Sequence, residues 1–215
     1  KRYEMRGLSH STNELIMCSS LDRGFCQKEM HTLGAAEAQG FLEAAKGTPY
    51  YPFFHLALFT GMRRSELLGL RWKHVDLDLL TVSVVQVMHQ LHGWWVLFRE
   101  PKSKKSKRLI DLTPSSAAML LEWRAELESQ KLLLGSQLTP EDLVFQRPDG
   151  SSLLPDSVTH AFKKLARRAG FPSFRLHDLR HSHATLMLTQ GIHPKIVQER
   201  LGHSTIQLTL DTYSH

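Results

Sequence analysis

Thr81–Leu112, TVSVVQVMHQLHGWWVLFREPKSKKSKRLIDL, is the stretch in which the chain changes its period. Its β-branched and aromatic residues predict strands over Thr81–Met88 and Gly93–Glu100, joined by a tight turn near Gln90–Gly93. Leu109–Leu112 has the look of one more strand. Five of the seven residues from Lys102 to Arg108 are basic. The simplest arrangement is a basic turn projecting between two strands of a small antiparallel sheet.

Outward from this stretch the pattern is helical on both sides. Upstream, TLGAAEAQGFLEAAKG (32–47) brings Leu33, Ala36, Phe41 and Ala45 near one helical face, with Gly47 as a stop. Tyr51–Phe59 is almost wholly apolar and reads as a core helix. Thr60-Gly61 breaks it, and Ser65–Leu70 forms a further short helix. Downstream, helices are expected over Ser115–Gln130, Pro155–Ala169, Leu176–Gln190, Pro194–Leu201 and Ser204–Tyr213, with a short extended piece at Leu143–Phe145. Gly170, Gly191 and Gly202 stand at helix C-terminal ends, where a left-handed residue is wanted. The expected class is therefore α+β, mainly α-helical, with a small antiparallel three-stranded sheet. Residues 1–30 keep no period for long and read as a linker or N-terminal extension, with at most one short helix around Glu14–Cys18.

Composition narrows the function. The 215 residues are 41% hydrophobic and 22% charged, enough for a real core in about one domain. Lys plus Arg number 27 against 21 Asp plus Glu, a net charge of +6 that favours a polyanionic partner. Two cysteines, Cys18 and Cys26, exclude a disulfide-stapled scaffold and read as free thiols. The longest apolar runs fall far short of the roughly 20 residues that span a bilayer, and no signal-peptide pattern opens the chain. No Walker-type glycine-rich loop and no paired-carboxylate metal site is present in the sequence. Thirteen histidines are an excess that asks for an explanation.

Four constellations bear chemistry. Thr60–Glu66, TGMRRSE, is a loop turning into a helix with arginine at the turn. Taken alone it is a solvated basic loop, unless a second guanidinium converges on Arg63 to hold one phosphate. In His177–Ala184, HDLRHSHA, residues His177, Arg180, His181 and Ala184 share a helical face. His183 lies on a neighbouring face that can turn inward as a core histidine, and His181 has a surface reading. A zinc site from His177, His181 and His183 is disfavoured, because His181 and His183 point in different directions and no HExxH carboxylate accompanies them. Leu201–Ser204, LGHS, is a turn between helices. Thr209–His215, TLDTYSH, carries Tyr213, by default a packing residue.

Together, TGMRRSELLGLRW, PKSKKSKRLIDL, LHDLRHSHAT, LGHS and TLDTYSH resemble the tyrosine recombinase (phage integrase) family. They follow that family's order of Arg, Lys, His-x-x-Arg, His and Tyr, over about residues 31 to 215. The resemblance implies a DNA breaking-rejoining catalytic domain, here 31–215, working through a covalent 3′-phosphotyrosine without metal, ATP or other cofactor. It implies catalytic roles for Arg63, Lys102, His177, Arg180, His203 and Tyr213. Tyr213 is the nucleophile, and Arg63 and Arg180 grip the non-bridging phosphate oxygens. His203 adds a hydrogen bond, His177 is general base, and Lys102 is general acid with Lys104 as runner-up. Glu66 is expected to orient Arg63 or its loop. Arg64, Lys104, Lys105, Lys107 and Arg108 are expected to contact DNA phosphates.

The implied partners are double-stranded DNA at a core recombination site and other protomers, four in a synaptic complex, with no membrane and a cytoplasmic location. The family's N-terminal core-binding domain has no room in this chain, and few residues follow Tyr213. The expectation is an isolated catalytic fragment with weak DNA affinity. A type IB topoisomerase-like enzyme shares the phosphotyrosine step and is one alternative. A catalytically silent DNA-binding module is another.

Overall fold

The computed structural model describes residues 32–91, 93, 95–101, 106–207 and 209. The expected helix around Glu14–Cys18, both cysteines and half of the terminal helix over Ser204–Tyr213 lie outside them. Helices α1 (Ala35–Ala45), α2 (Tyr51–Thr60) and α3 (Arg64–Leu68) precede the strands, and α4 (Pro114–Leu133), α5 (Pro155–Arg168), α6 (Asp178–Thr189) and α7 (Pro194–Leu201) follow.

The aromatic residues of the first helices build the core. Phe41, Phe53, Phe54, Phe145 and Phe162 are all essentially without solvent exposure. Phe41 lies 5.0 Å from Phe162, Phe54 lies 5.4 Å from Phe162, and Phe53 lies 5.1 Å from Phe145, in tilted and edge-on contacts that suit the ring quadrupoles. This cluster ties α1, α2 and α5 together. Each such side chain contributes about 2 kcal/mol of transfer free energy, so these rings dominate the local stability. His55 is buried on α2, with Ser116 Oγ and Tyr51 Oη each 3.3 Å from a ring nitrogen. Burial lowers its pKa to about 4.

The strands β1 (Val75–Asp76), β2 (Thr81–Val84) and β5 (Arg108–Asp111) form an antiparallel sheet in the order β1-β2-β5, and β3 (Val87–Gln90) pairs with β4 (Val96–Arg99) in a separate ribbon. The expected strand Thr81–Met88 is thus split at Val85–Gln86, and β1 takes the third place in the main sheet. The ladder offers a reason: Val84 pairs with Arg108, the first residue of β5, so β2 has no partner strand beyond it. From there the chain is drawn toward α3. Gln86 Nε2 donates to the Gly69 carbonyl at 3.0 Å, and Gly69 lies so close that a Cβ there would stand 3.1 Å from Val87 Cα. The basic turn therefore joins two sheets rather than two neighbouring strands. The extended piece expected at Leu143–Phe145 is present, with Leu143 bridged to Arg71 and Val144 N bonded to the Leu70 carbonyl.

Helix α6 packs along α2, and Leu33 N, just before α1, donates to Ser182 Oγ of α6 at 2.8 Å. Ala184, Val197 and Leu201 make a second, smaller core between α6 and α7. Gly61 closes α2 in the left-handed region at φ 64°, and a Cβ there would meet Leu201 Cδ2 at 2.6 Å and His183 Cδ2 at 2.7 Å. Gly191, at φ 79°, has open space around the same position. Gly61→Ala is expected to destabilise the fold by about 3 kcal/mol, conformational strain plus overpacking. Gly191→Ala should cost only about 1 kcal/mol, the strain alone. Urea unfolding of the two variants measures the difference, and equal losses would remove the close approach at Gly61.

Candidate active site

The C-terminal end of α2, the start of α3, β5, the start of α6 and the end of α7 meet at one place. Arg63 sits there because Glu66 fixes the turn into α3: its Oε2 accepts from Arg63 N at 2.8 Å, and its Oε1 accepts from Arg63 Nη1 at 2.8 Å. The Glu66 carboxylate is 2% exposed, while the Arg63 side chain keeps 37% of its surface in solvent. Arg108 completes the bracket, its Nη1 and Nη2 reaching the two Glu66 oxygens at 3.0 and 2.9 Å. Burial alone would raise the Glu66 pKa, but the hydrogen bonds and charges of Arg108 and Arg63 hold it below the usual carboxylate range. Glu66 thus contacts both the backbone and the guanidinium of Arg63.

Arg108 is a correction. Its side chain is 6% exposed, and besides Glu66 it donates to the Arg200 carbonyl at 2.6 Å and the Ser106 carbonyl at 3.2 Å. These contacts place Arg108 in the scaffold of the site, holding Glu66, rather than among the exposed cations of the basic run. Arg64 is exposed and donates to Thr159 Oγ1 at 2.7 Å, and Lys107 is exposed and pairs with Glu100 at 2.7 Å. Lys102, Lys104, Lys105 and Tyr213 lie outside the described residues.

Arg180, on α6, is 3% exposed. Its Nη1 donates to the Gly61 carbonyl and its Nη2 to the Leu201 carbonyl, both at 2.6 Å. His177 is the N-cap of α6 rather than part of its body, in αR conformation, so the one-turn relation to His181 persists and the two rings meet edge-on at 4.8 Å. Arg63, His177 and Arg180 line one cleft of about 450 Å³ together with Arg64, Lys163 and Arg175. His203 lines a neighbouring cleft of about 250 Å³ with Lys107, Arg108 and Lys195.

The histidines take their character from this setting. Partial burial lowers His177, with His181, Arg180 and Arg63 acting the same way against the opposing charge of Asp178. His177 keeps an open edge to solvent, so its base form is both dominant at neutral pH and accessible. Burial, then Arg180 and Arg63, brings His203 to about 4, and its Nδ1 lies 2.9 Å from Thr209 Oγ1. His183 is the buried core histidine, at about 3, with burial the largest cause and Arg200 the next.

Sequence reasoning missed Arg200, which donates to His183 Nε2 at 3.1 Å and to the carbonyls of Phe59 and Asp111 at 3.2 and 2.8 Å. Its only sequence signal is its place one turn before the Gly202-His203 turn. Thr209, without exposure, was also missed. Among the described residues no group of three His, Cys, Asp or Glu side chains could hold a metal ion, and His183 Nε2, one nitrogen of the disfavoured zinc set, accepts from Arg200.

The phage integrase family model matches residues 27–215. A tyrosine recombinase XerC-like protein of Caldanaerobacter subterraneus is 31% identical over 200 residues, covering 88% of this chain and 51% of that protein. The ICEBs1 integrase of Bacillus subtilis is 32% identical over 163 residues, covering 76% of this chain and 44% of the integrase. The chain thus spans about half the length of the curated relatives it matches. Among solved structures, the Tn1549 transposon integrase in complex with a circular intermediate DNA superposes with a TM-score of 0.76 at 22% identity, over 88% of this chain and 63% of that one. XerA recombinase superposes with a TM-score of 0.67 at 24% identity, over 86% and 59%.

His55, His183 and His203 all have folded-state pKa values below the ordinary 6.5. The unfolded chain therefore binds more protons between about pH 6.5 and 3, and stability present above about pH 6.5 is lost as pH falls, by up to about 1.4 kcal/mol per pH unit for each histidine. Urea midpoints should be flat above pH 7 and drop from pH 6.5 to 4. His55→Phe should flatten that drop by about one proton, and an unchanged slope would contradict the shift at His55.

Proposed function

Because the chain belongs to the phage integrase family, we propose that it breaks and rejoins double-stranded DNA through a covalent 3′-phosphotyrosine. The observation that carries this reading is the convergence of Arg63, His177 and Arg180 on one cleft with His203 beside it, brought together from α3, α6 and the end of α7. Two guanidiniums and a neutral imidazole make a donor set matched to a tetrahedral phosphate diester.

In the reaction, the Tyr213 phenolic oxygen attacks phosphorus and the bond to the deoxyribose 5′-oxygen breaks. The phenolic proton passes to His177, whose ring is unprotonated at neutral pH, and Lys102 gives a proton to the leaving 5′-oxygen. Arg63 and Arg180 hold the two non-bridging oxygens and offset the charge that builds on them in the transition state. In the His203 tautomer protonated at Nε2, where Nδ1 accepts from the Thr209 hydroxyl, the ring adds a donor to the same phosphate. Rejoining reverses these steps with a different 5′-hydroxyl, so the phosphotyrosine stores the bond energy.

Residues 31–215 form the catalytic domain in this reading, and residues 1–30 connect it to whatever precedes it. Arg64, Lys107 and the lysines at 104 and 105 supply general attraction to the backbone. In the working assembly four protomers hold two duplexes, in the cytoplasm of a bacterial host. The relatives from mobile elements, including the ICEBs1 integrase, support a mobile-element role.

A pool of nicked duplexes with a randomised core, in which cleavage releases a short strand and traps the enzyme, tests the chemistry. Wild type should give detergent-resistant protein–DNA adducts, and Tyr213→Phe should give none. Arg180→Ala should lower the cleavage rate by about 10²–10³ while changing DNA retention little. Adducts that persist in Tyr213→Phe would overturn the assignment of the nucleophile. Relaxation of supercoiled DNA without paired sites would favour the topoisomerase alternative.

A further inference from the structure

Arg200 and His183 have no role in the proposed reaction, yet they occupy the centre of the site's scaffold. Arg200 Nη2 donates to the Phe59 carbonyl at the end of α2 and to the Asp111 carbonyl at the end of β5, and its Nε donates to His183 Nε2 on α6. The Arg200 carbonyl accepts from Arg108 Nε at 2.6 Å. One guanidinium–imidazole couple thus fixes α2, β5, α6 and α7 against each other. Each of these segments leads within a few residues to a site group. Phe59 lies four before Arg63, His183 three after Arg180, and Arg200 three before His203, while Arg108 on β5 grips Glu66.

The couple also touches what holds Arg180. The two carbonyls that accept from Arg180 belong to Gly61 and Leu201. Gly61 has the His183 ring packed against its Cα, so close that a Cβ would overlap it, and Leu201 directly follows Arg200. A shift of His183 or Arg200 is therefore transmitted to both carbonyls at once. Arg200 is half-buried, so its guanidinium loses part of its hydration and depends on these acceptors to replace it.

We propose that Arg200 and His183 are positioning residues that act through Arg180, placing its guanidinium on the scissile phosphate. The inference rests on the phosphotyrosine reading. It predicts that their loss is felt as poorer neutralisation of phosphate charge, not as a general loss of active protein. Lysine at 200 keeps a positive charge, but one ammonium cannot span His183, Phe59 and Asp111 as the planar fork does. Leucine at 183 fills volume over Gly61 and removes the acceptor for Arg200, whereas glutamine can present its amide oxygen there.

The test uses the duplex selected from the randomised pool, made in two forms. One carries the natural scissile phosphate, and the other a methylphosphonate, in which a methyl group replaces one non-bridging oxygen, so the diester is neutral and its transition state carries one negative charge fewer. On the natural phosphate, Arg200→Lys and His183→Leu should each slow single-turnover cleavage at least about tenfold. His183→Gln should stay within about threefold of wild type, the size expected when the hydrogen bond is kept. On the methylphosphonate the same Arg200→Lys and His183→Leu preparations should fall behind wild type by no more than about threefold, since one unit of the charge they fail to offset is gone. The comparison is internal to each preparation, so partial unfolding slows both substrates alike. Equal slowing on the two substrates, or no slowing on either, overturns the proposal. Absence of any wild-type adduct instead overturns the phosphotyrosine reading on which it rests.

Discussion

The buried guanidinium of Arg180 holds the architecture of the site in one interaction. Its two terminal nitrogens bind the carbonyls of Gly61 and Leu201, residues 119 and 21 positions away in sequence. A charge at 3% exposure persists only where its donors are met, so the folded chain must bring the end of α2, the start of α6 and the end of α7 to one point. The αL turn at Gly61 and the helix stop at Gly202 serve that requirement, since each releases the chain beside one of the two carbonyls. Arg63 and His203 then follow two residues after Gly61 and Leu201 respectively. The proposed catalytic groups inherit their positions from the carbonyls that satisfy Arg180.

Around that point the electrostatics are lopsided. Arg63, Arg108, Arg180 and Arg200 gather with Glu66 as the buried carboxylate among them. Its two oxygens take Arg63 and Arg108, and the remaining cations lean on backbone carbonyls. Burial is the first reason that His177, His183 and His203 all move below their ordinary values, and positive potential of this kind adds to it. The same potential favours an incoming phosphate diester and the phenolate that would attack it. Stability and function draw on one arrangement, with Glu66 and the carbonyls retaining enough negative charge for the cations to be folded together.

Much of this was legible in the sequence. His177 and Arg180 are three apart at the start of a helix, and a spacing that local survives any tertiary detail. Gly61, Gly191 and Gly202 announced helix ends, and all three adopt positive φ. What escaped depends on contacts between distant segments. Arg108 was read as a DNA contact because it ends a basic run, but its partner Glu66 is 42 residues away. Arg200 drew no reading of its own, because its link to His183 crosses 17 residues and two helices. The strand Thr81–Met88 reads as continuous by propensity, and only the approach of Gly69 and the four-residue length of β5 divide it. Periodicity reports which face is apolar; it carries no record of which buried charge that face will meet.

The central claim is that this cluster of cations presents one phosphate to Tyr213. Its most direct measurement is mass spectrometry of the peptides released from the trapped protein–DNA adduct after nuclease digestion. The account predicts a single nucleotide-bearing peptide, with the nucleotide joined through its 3′-phosphate to Tyr213. A nucleotide on any other residue, or one joined through a 5′-phosphate, would contradict it.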